Sequence, residues 1–159
     1  MSYTYGDGFI GAGNMGGALA RAASQAVGGA PIAVSCSTPD STAAAAERPG
    51  CAAETPERIQ RESCFVFPGI KPQMIAGVTH QLAAPIRESG TVSVSMLAGV
   101  SLERLGQLLG PEKKIIRIMP NTPCAVGEGM IPLCRSVCFD AVEAAYQKAA
   151  WDQSASTVL

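Results

Sequence analysis

The sequence lacks the features of a nucleic-acid-binding or membrane-spanning protein. Its 159 residues carry a formal net charge of −1, and no run of basic residues with interleaved aromatics occurs, which argues against nucleic acid or an anionic membrane as a partner. No stretch reaches the roughly eighteen apolar residues of a membrane span, and the N-terminus has neither region of a signal peptide. We therefore expect a cytoplasmic protein with a small-molecule partner.

Histidine and closely paired cysteines are also scarce. The single histidine, His80, is far in sequence from every cysteine, and no C-x-x-C pair is present. This pattern argues against a zinc site, so we predict no metal. We expect His80 on the surface of a helix and the thiols reduced and mostly buried. The cysteines are Cys36, Cys51, Cys64, Cys124, Cys134 and Cys138.

The remaining composition is that of a globular domain, with 47% hydrophobic and 16% charged residues. Extended and helical segments alternate, which is typical of an α/β domain with a parallel sheet and crossover helices. Strands are predicted at 3–10, 32–36, 51–53, 64–67, 91–95, 114–118 and 130–134. Helices are predicted at 14–27, 40–46, 56–61, 72–84, 102–109 and 140–150, and the last nine residues are expected to fray.

Local signals support two of the helix starts and disagree with two of the strands. Thr38 and Thr55 each offer an N-cap hydroxyl, followed by a proline and an acid in the first turn. Asp7 is polar where the first strand should be apolar. Pro68 and Gly69 are expected to interrupt the fourth strand, because proline cannot donate to the ladder.

The turn after the first strand has the spacing G-x-G-x-x-G and opens an Ala-rich helix. In such a turn Gly11 allows a tight bend, Gly13 allows backbone to approach a pyrophosphate, and Gly16 allows the helix to pack closely on its strand. A diphosphate would then lie at the helix N-terminus, where N–H groups and the helix dipole stabilise an anion. The alternative is a glycine-rich turn that binds nothing.

The end of the second strand indicates which dinucleotide is preferred. An acid about 20 residues past the glycines would bind a ribose 2′-hydroxyl and select NAD, whereas a 2′-phosphate needs neutral donors or an arginine. Here Ser37 and Thr38 follow the strand, with no carboxylate and no arginine. NADP(H) is therefore modestly preferred over NAD(H), with Ser37 the better phosphate contact. Alternatively, both hydroxyls only cap the next helix.

Three further segments complete an ordered set of motifs. K-P-Q stands at 71–73, A-G-V-S-L-E at 98–103, and R-I-M-P-N-T-P at 117–123, followed by V-G-E-G at 126–129. Together with the glycine turn they cover about residues 8–132, and they resemble pyrroline-5-carboxylate reductase, the last enzyme of proline synthesis. The resemblance implies a Rossmann-like, doubly wound, mostly parallel sheet in a single domain. It also implies an NADP-dependent oxidoreductase that transfers hydride to the C=N bond of 1-pyrroline-5-carboxylate, giving L-proline.

The resemblance also assigns residues to the cofactor. The glycine turn would hold the diphosphate, the segments after strands four and five would extend toward the nicotinamide, and no catalytic residue is assigned because no proton donor stands out. The implied cofactor residues are Gly11, Ala12, Gly13, Asn14, Met15, Gly16, Ser37, Thr38, Gly69, Ile70, Lys71, Pro72, Leu97, Ala98, Gly99 and Asn121. As alternatives, Lys71 and Pro72 form a plain helix start, and Asn121 and Thr122 bond local backbone in a proline-stiffened turn.

The sequence departs from the family in two respects. The family's asparagine before the third helix is replaced by Thr55 or Pro56, which puts one adenosine contact in doubt. The helical dimerisation domain, through which the family forms homo-oligomers, does not follow. We therefore expect a dinucleotide-binding domain at 1–135, a C-terminal helix and tail at 136–159, and weak or absent turnover by this chain alone. Two other interpretations remain: a non-catalytic NADP-binding module, and a reductase of the 6-phosphogluconate or hydroxyacid dehydrogenase type.

Overall fold

The computed structural model describes residues 3–47, 49–123 and 129–136, which build a seven-stranded sheet with helices on both faces. The strands are β1 (Tyr5–Ile10), β2 (Ile32–Ser35), β3 (Ala52–Ala53), β4 (Ser63–Pro68), β5 (Val92–Ser95), β6 (Ile115–Ile118) and β7 (Leu133–Arg135). Their order in the sheet is β3-β2-β1-β4-β5-β6-β7, and only the β6–β7 pair is antiparallel. The order of the first six is that of the doubly wound Rossmann fold, so the predicted fold class is confirmed.

Helices cover both faces of this sheet, and for that reason the strands are apolar on both sides. The helices are α1 (Asn14–Val27), α2 (Pro39–Glu47), α3 (Pro56–Glu62), α4 (Ile75–Gln81), α5 (Ala83–Glu88) and α6 (Leu102–Leu109), with a 3₁₀ turn at Pro72–Met74. On one face Leu19 of α1 packs with Phe9 and Val34, and on the other Ile59 of α3 packs with Ile10. No helix within the described ranges has the length and apolar character needed to cross a membrane.

The predicted helix caps are confirmed. The Thr55 hydroxyl accepts a hydrogen bond from the Arg58 backbone N–H at 3.3 Å, and the Thr38 hydroxyl accepts one from the Ser41 backbone N–H at 3.2 Å. These bonds satisfy N–H groups that have no acceptor within their own helix. Gly28 ends α1 with a φ of 82°, a conformation in the left-handed region that favours glycine.

The single helix predicted at 72–84 is wrong. The chain forms the 3₁₀ turn first, then α4, and Leu82 separates α4 from α5. The physical reason is Pro85, which has no N–H to donate and whose ring disfavours a continuous helix through the preceding turn. His80 is exposed on α4, as predicted.

The ends of two strands also differ from prediction. Pro68 does not interrupt β4 but is its last residue, opposite Ile10, and Gly69 N–H continues the pairing by donating to the Ile10 carbonyl at 2.8 Å. Proline is tolerated at that terminal position because the next residue supplies the donor. The strand predicted at 130–134 begins three residues later, as β7.

The prediction of mostly buried thiols is wrong for the described residues. Cys36, Cys51 and Cys64 are half-buried, and Cys134 is exposed because it lies on the edge strand β7, where every residue faces solvent. Cys124, Cys138, the helix predicted at 140–150 and the final tail lie outside the described residues.

Candidate functional site

The residues predicted to hold a cofactor lie along one edge of the sheet. The glycine turn follows β1, Ser37 and Thr38 follow β2, residues 69–72 follow β4, residues 97–99 follow β5, and Asn121 follows β6. Because these strands are parallel, their carboxyl ends meet at the same edge. The strand order reverses between β1 and β4, and in open α/β sheets ligands bind in the crevice at such a switch point.

Three glycine backbones meet at this crevice. A Cβ on Gly16 would overlap the Gly11 carbonyl oxygen, and a Cβ on Gly69 would overlap the same oxygen. Gly11 itself has a φ of 92° and leaves no room for a side chain against Gly69 and Ile70. The turn after β1 and the loop after β4 therefore touch directly. The sequence indicated Gly69 only as a cofactor contact and missed that it is required for this packing.

Gly13 differs from these three glycines, because no described residue occupies the space that a side chain there would take. A Cβ at Gly13 would meet no heavy atom within 4 Å, and its φ of −74° is accessible to any residue. Gly13 is the exposed N-cap of α1, and no side chain caps the helix and no acid stands in its first turn. The space above Gly13 thus faces helix N–H groups and the positive end of the helix dipole, a suitable place for an anion.

A cavity of about 360 Å³ opens beside this turn, between the ends of β2 and β3. Its lining residues are Cys36, Ser37, Thr38, Pro39, Thr42, Ala53, Glu54, Thr55 and Pro56. The Thr38 hydroxyl is used locally, because it is hydrogen-bonded to Ser41. The Ser37 side chain is exposed and makes no hydrogen bond to any described residue, so its hydroxyl is available to a ligand.

The opposite wall of this cavity contains a carboxylate that sequence reasoning missed. Glu54 follows β3, and its Oε1 accepts a hydrogen bond from the Tyr5 hydroxyl at 2.7 Å and forms an ion pair with Arg58 Nη1 at 2.9 Å. Burial, and then the hydrogen bond to Glu54, raise the pKa of Tyr5, so the phenol remains a donor at neutral pH. The sequence-based prediction of dinucleotide preference used only the residues at the end of β2. The approach of β3 to that end is a tertiary contact, which residue spacing does not reveal.

The loop after β5 presents its small residues to solvent and buries its large one. Ala98 and Gly99 are exposed, whereas Leu97 is 2% exposed and packs in the core with Leu105 and Ile115. Any contact between Leu97 and a ligand must therefore use its backbone.

Side-chain hydrogen bonds connect the segments that follow β5 and β6 at the same edge of the sheet. Arg117 of β6 donates from Nε to the Val100 carbonyl at 3.0 Å, which ties the loop after β5 to the neighbouring strand. Asn121 Oδ1 accepts from the Met130 backbone N–H at 3.2 Å. This bond joins residues nine positions apart, so it does not test the local backbone bonding predicted as an alternative for Asn121.

Comparison with known proteins identifies the family. The family model described as NADP oxidoreductase, coenzyme F420-dependent, matches residues 8–99, more than half of the chain. The chain belongs to this family. The match contains the glycine turn and the loops after β2 and β4, and it ends within the loop after β5.

Curated relatives confirm the resemblance found in the sequence. The chain is 38% identical over 127 residues to pyrroline-5-carboxylate reductase of Escherichia coli, an alignment that covers 77% of this chain and 46% of the relative. It is 35% identical over 131 residues to pyrroline-5-carboxylate reductase 3 of Macaca fascicularis, covering 80% of this chain and 47% of that protein. The chain thus spans about half the length of the curated relatives it matches.

Solved structures agree on the fold. The structure of a pyrroline-5-carboxylate reductase from Coxiella burnetii superposes with a TM-score of 0.82 at 23% identity, covering 97% of this chain and 57% of that one. The crystal structure of Plasmodium falciparum pyrroline carboxylate reductase with NADP bound gives a TM-score of 0.79 at 22% identity, covering 97% and 56%. At these identities the likeness establishes a shared fold.

Proposed function

We propose that this chain is the NADP(H)-binding part of a pyrroline-5-carboxylate reductase. The observation that carries the proposal is the open space above Gly13, at the uncapped N-terminus of α1 and at the switch point of the sheet. No described residue sterically requires glycine at that position, whereas a diphosphate bound there would. The curated relatives supply the reaction, since those that match are named pyrroline-5-carboxylate reductases.

Each loop at this edge has a proposed role. The α1 N–H groups beside Gly13 hold the diphosphate, and Ser37 donates to the 2′-phosphate from the wall of the adjoining cavity. The exposed Lys71 and the loop at Ala98 and Gly99 flank the nicotinamide end. The remaining assigned residues complete the cleft as proposed cofactor contacts: Gly11, Ala12, Asn14, Met15, Gly16, Thr38, Gly69, Ile70, Pro72, Leu97 and Asn121.

In this function NADPH would supply the hydride for the C=N carbon of 1-pyrroline-5-carboxylate, while the ring nitrogen takes a proton. The chain's part is to orient the dinucleotide and to exclude other geometries, which supplies much of the acceleration of such reactions. No described residue is assigned as the proton donor. Since the alignments cover about half of the relatives, we propose that substrate is held by residues other than those described and that turnover by these 159 residues is weak.

The preference for NADP(H) over NAD(H) is part of the proposal. It is supported by the hydroxyl of Ser37 and by the absence of an acidic residue among the four residues from Cys36 to Pro39. A homo-oligomer and a cytoplasmic location are likewise proposed, on the resemblance alone.

A titration tests this function. NADPH is added to the purified chain while nicotinamide fluorescence is followed, and pyrroline-5-carboxylate is then added to the same cuvette. Saturable binding followed by slow oxidation is expected. Oxidation at the rate of a complete reductase would contradict the weak turnover, binding with no oxidation at all would favour a non-catalytic binding module, and no binding would refute the cofactor site.

Two glycine variants make the test specific. Gly13→Ala adds a methyl group where only the ligand would meet it, so we expect NADPH affinity to fall by about tenfold or more while folding is little affected. Gly106→Ala is the matched control, because its Cβ also meets no heavy atom within 4 Å but lies within α6. Equal NADPH affinity in the two variants would argue against a diphosphate at Gly13.

A further inference from the structure

The cavity between β2 and β3 has one wall suited to a phosphate and one that opposes it. Ser37 stands at the end of β2, whereas Glu54 stands at the end of β3 and is the only acidic residue among those lining the cavity. A free carboxylate beside the ribose would accept a hydrogen bond from a 2′-hydroxyl and repel a 2′-phosphate. The preference for one dinucleotide over the other therefore depends on where the Glu54 carboxylate is held.

Two side chains bind this carboxylate at one oxygen. The Tyr5 hydroxyl donates to Glu54 Oε1, and Arg58 Nη1 forms an ion pair with the same oxygen. The Glu54 side chain is only 14% exposed although it borders an open cavity. Tyr5 belongs to β1 and is 7% exposed, so the carboxylate is drawn toward the sheet. The ion pair with Arg58 and the hydrogen bond from the Tyr5 hydroxyl to the same oxygen restrain the carboxylate.

Arg58 is itself held in place by a second carboxylate. Its Nε donates to Glu62 Oε1 at 2.9 Å, one helical turn beyond, while its Nη1 reaches back to Glu54. The guanidinium thus bridges Glu54, just before α3, and Glu62, at the end of α3. Its positive charge offsets the negative charge of Glu54 at the cavity.

We propose that Tyr5 and Arg58 are positioning residues that hold the Glu54 carboxylate away from the phosphate half of this cavity and thereby set the preference for NADP(H). This inference rests on the proposed function, because it assumes that the adenosine end of the dinucleotide occupies the cavity. It adds that the acid which would select NAD is present in the chain but is restrained by β1 and α3.

The test compares dissociation constants of NADP⁺ and NAD⁺ for each protein. Because the two ligands differ only in the 2′-phosphate and are measured on the same variant, any loss of folded protein cancels in their ratio. Tyr5→Phe removes the hydrogen bond to Glu54 without changing any charge. Arg58→Gln removes the ion pair with Glu54. Each is expected to shift the ratio of affinities toward NAD⁺ by roughly tenfold.

Three further variants distinguish restraint from direct contact. Adding Glu54→Gln to either variant is expected to restore the native preference, because an amide does not repel phosphate. If Arg58 instead touched the 2′-phosphate itself, the Arg58→Gln, Glu54→Gln double variant would stay shifted, and that result would overturn the inference. Arg61→Gln is the matched control: it removes an arginine of the same helix whose partner is Glu88, and it is expected to leave the ratio unchanged.

The outcomes separate this inference from the proposed function. Binding of NADP⁺ by the native chain with an unchanged ratio in Tyr5→Phe would overturn the restraint and leave the cofactor site intact. Failure of the native chain to bind either dinucleotide would overturn both.

Discussion

Asp7 provides a test of the fold that is independent of any ligand. It lies on the central strand β1, opposite Ile32 of β2 and Phe65 of β4, and it is half-buried. Burial raises the pKa of this carboxyl from 3.8 to about 6. A shift of about two pKa units corresponds to roughly 3 kcal/mol of folding free energy, at 1.36 kcal/mol per unit. The native chain thus carries an energetic cost at neutral pH that an uncharged residue would remove.

The sign of the pH dependence follows from which state binds the proton. Between pH 3.8 and about 6 the folded state keeps Asp7 protonated while the unfolded state releases the proton. The contribution of Asp7 to the free energy of unfolding is therefore full below pH 3.8, falls as pH rises through 6, and stays low above it. Asp7→Asn keeps the shape and cannot ionise, so we expect it to be more stable than the native chain by up to about 3 kcal/mol at pH 7.5.

Urea unfolding followed by far-UV circular dichroism from pH 4 to pH 8 measures this difference. The gap between native chain and Asp7→Asn should be small at pH 4 and should widen with rising pH. Asp40→Asn is the matched control, because Asp40 is exposed in the first turn of α2 and its removal should cost only a few tenths of a kcal/mol. A gap that is independent of pH, or that narrows as pH rises, would refute the reasoning.

Three further predictions concern packing and the cavity. Gly69→Ala should lower the free energy of unfolding by about 1 to 3 kcal/mol, because its Cβ would overlap the Gly11 carbonyl, whereas Gly106→Ala should not; urea titrations compare them. Thr91→Val removes a buried hydroxyl whose single proton is shared between the Gln60 and Ser63 carbonyl oxygens. Urea titration should show that the free energy of unfolding falls by about 1 to 2 kcal/mol. NADPH should slow alkylation of Cys36, which lines the cavity, and leave the exposed Cys134 unaffected, as peptide mass spectrometry would report; equal protection of both thiols, or of neither, would contradict the site.

Local features of the sequence predicted local features of the structure. The boundaries of α1 and α6 agree with prediction, since both are marked by a periodic pattern that ends at a glycine. Thr38 and Thr55 cap the helices that they were expected to cap. The helix predicted at 72–84 is wrong for a local reason as well. Pro85 interrupts an otherwise helical pattern, and the prediction did not include its effect.

The glycine turn shows where local information ends. Its spacing identified the turn and the helix that follows it, because both depend on backbone freedom within a few residues. The same spacing could not distinguish Gly16, whose Cβ would collide with Gly11, from Gly13, whose Cβ would meet nothing. That distinction depends on which atoms the rest of the chain brings near.

The sequence by itself predicted the alternation of strands and helices, the glycine turn and the family of this chain, because propensity, capping and motif spacing act between near neighbours. Tertiary structure alone decided that Gly69 packs on the glycine turn, that Leu97 is buried, and that Glu54 faces Ser37 across a cavity. The bond from Tyr5 to Glu54 joins residues 49 positions apart. Such contacts arise from the pairing of β1, β2 and β3 in one sheet, which no local pattern of residues encodes.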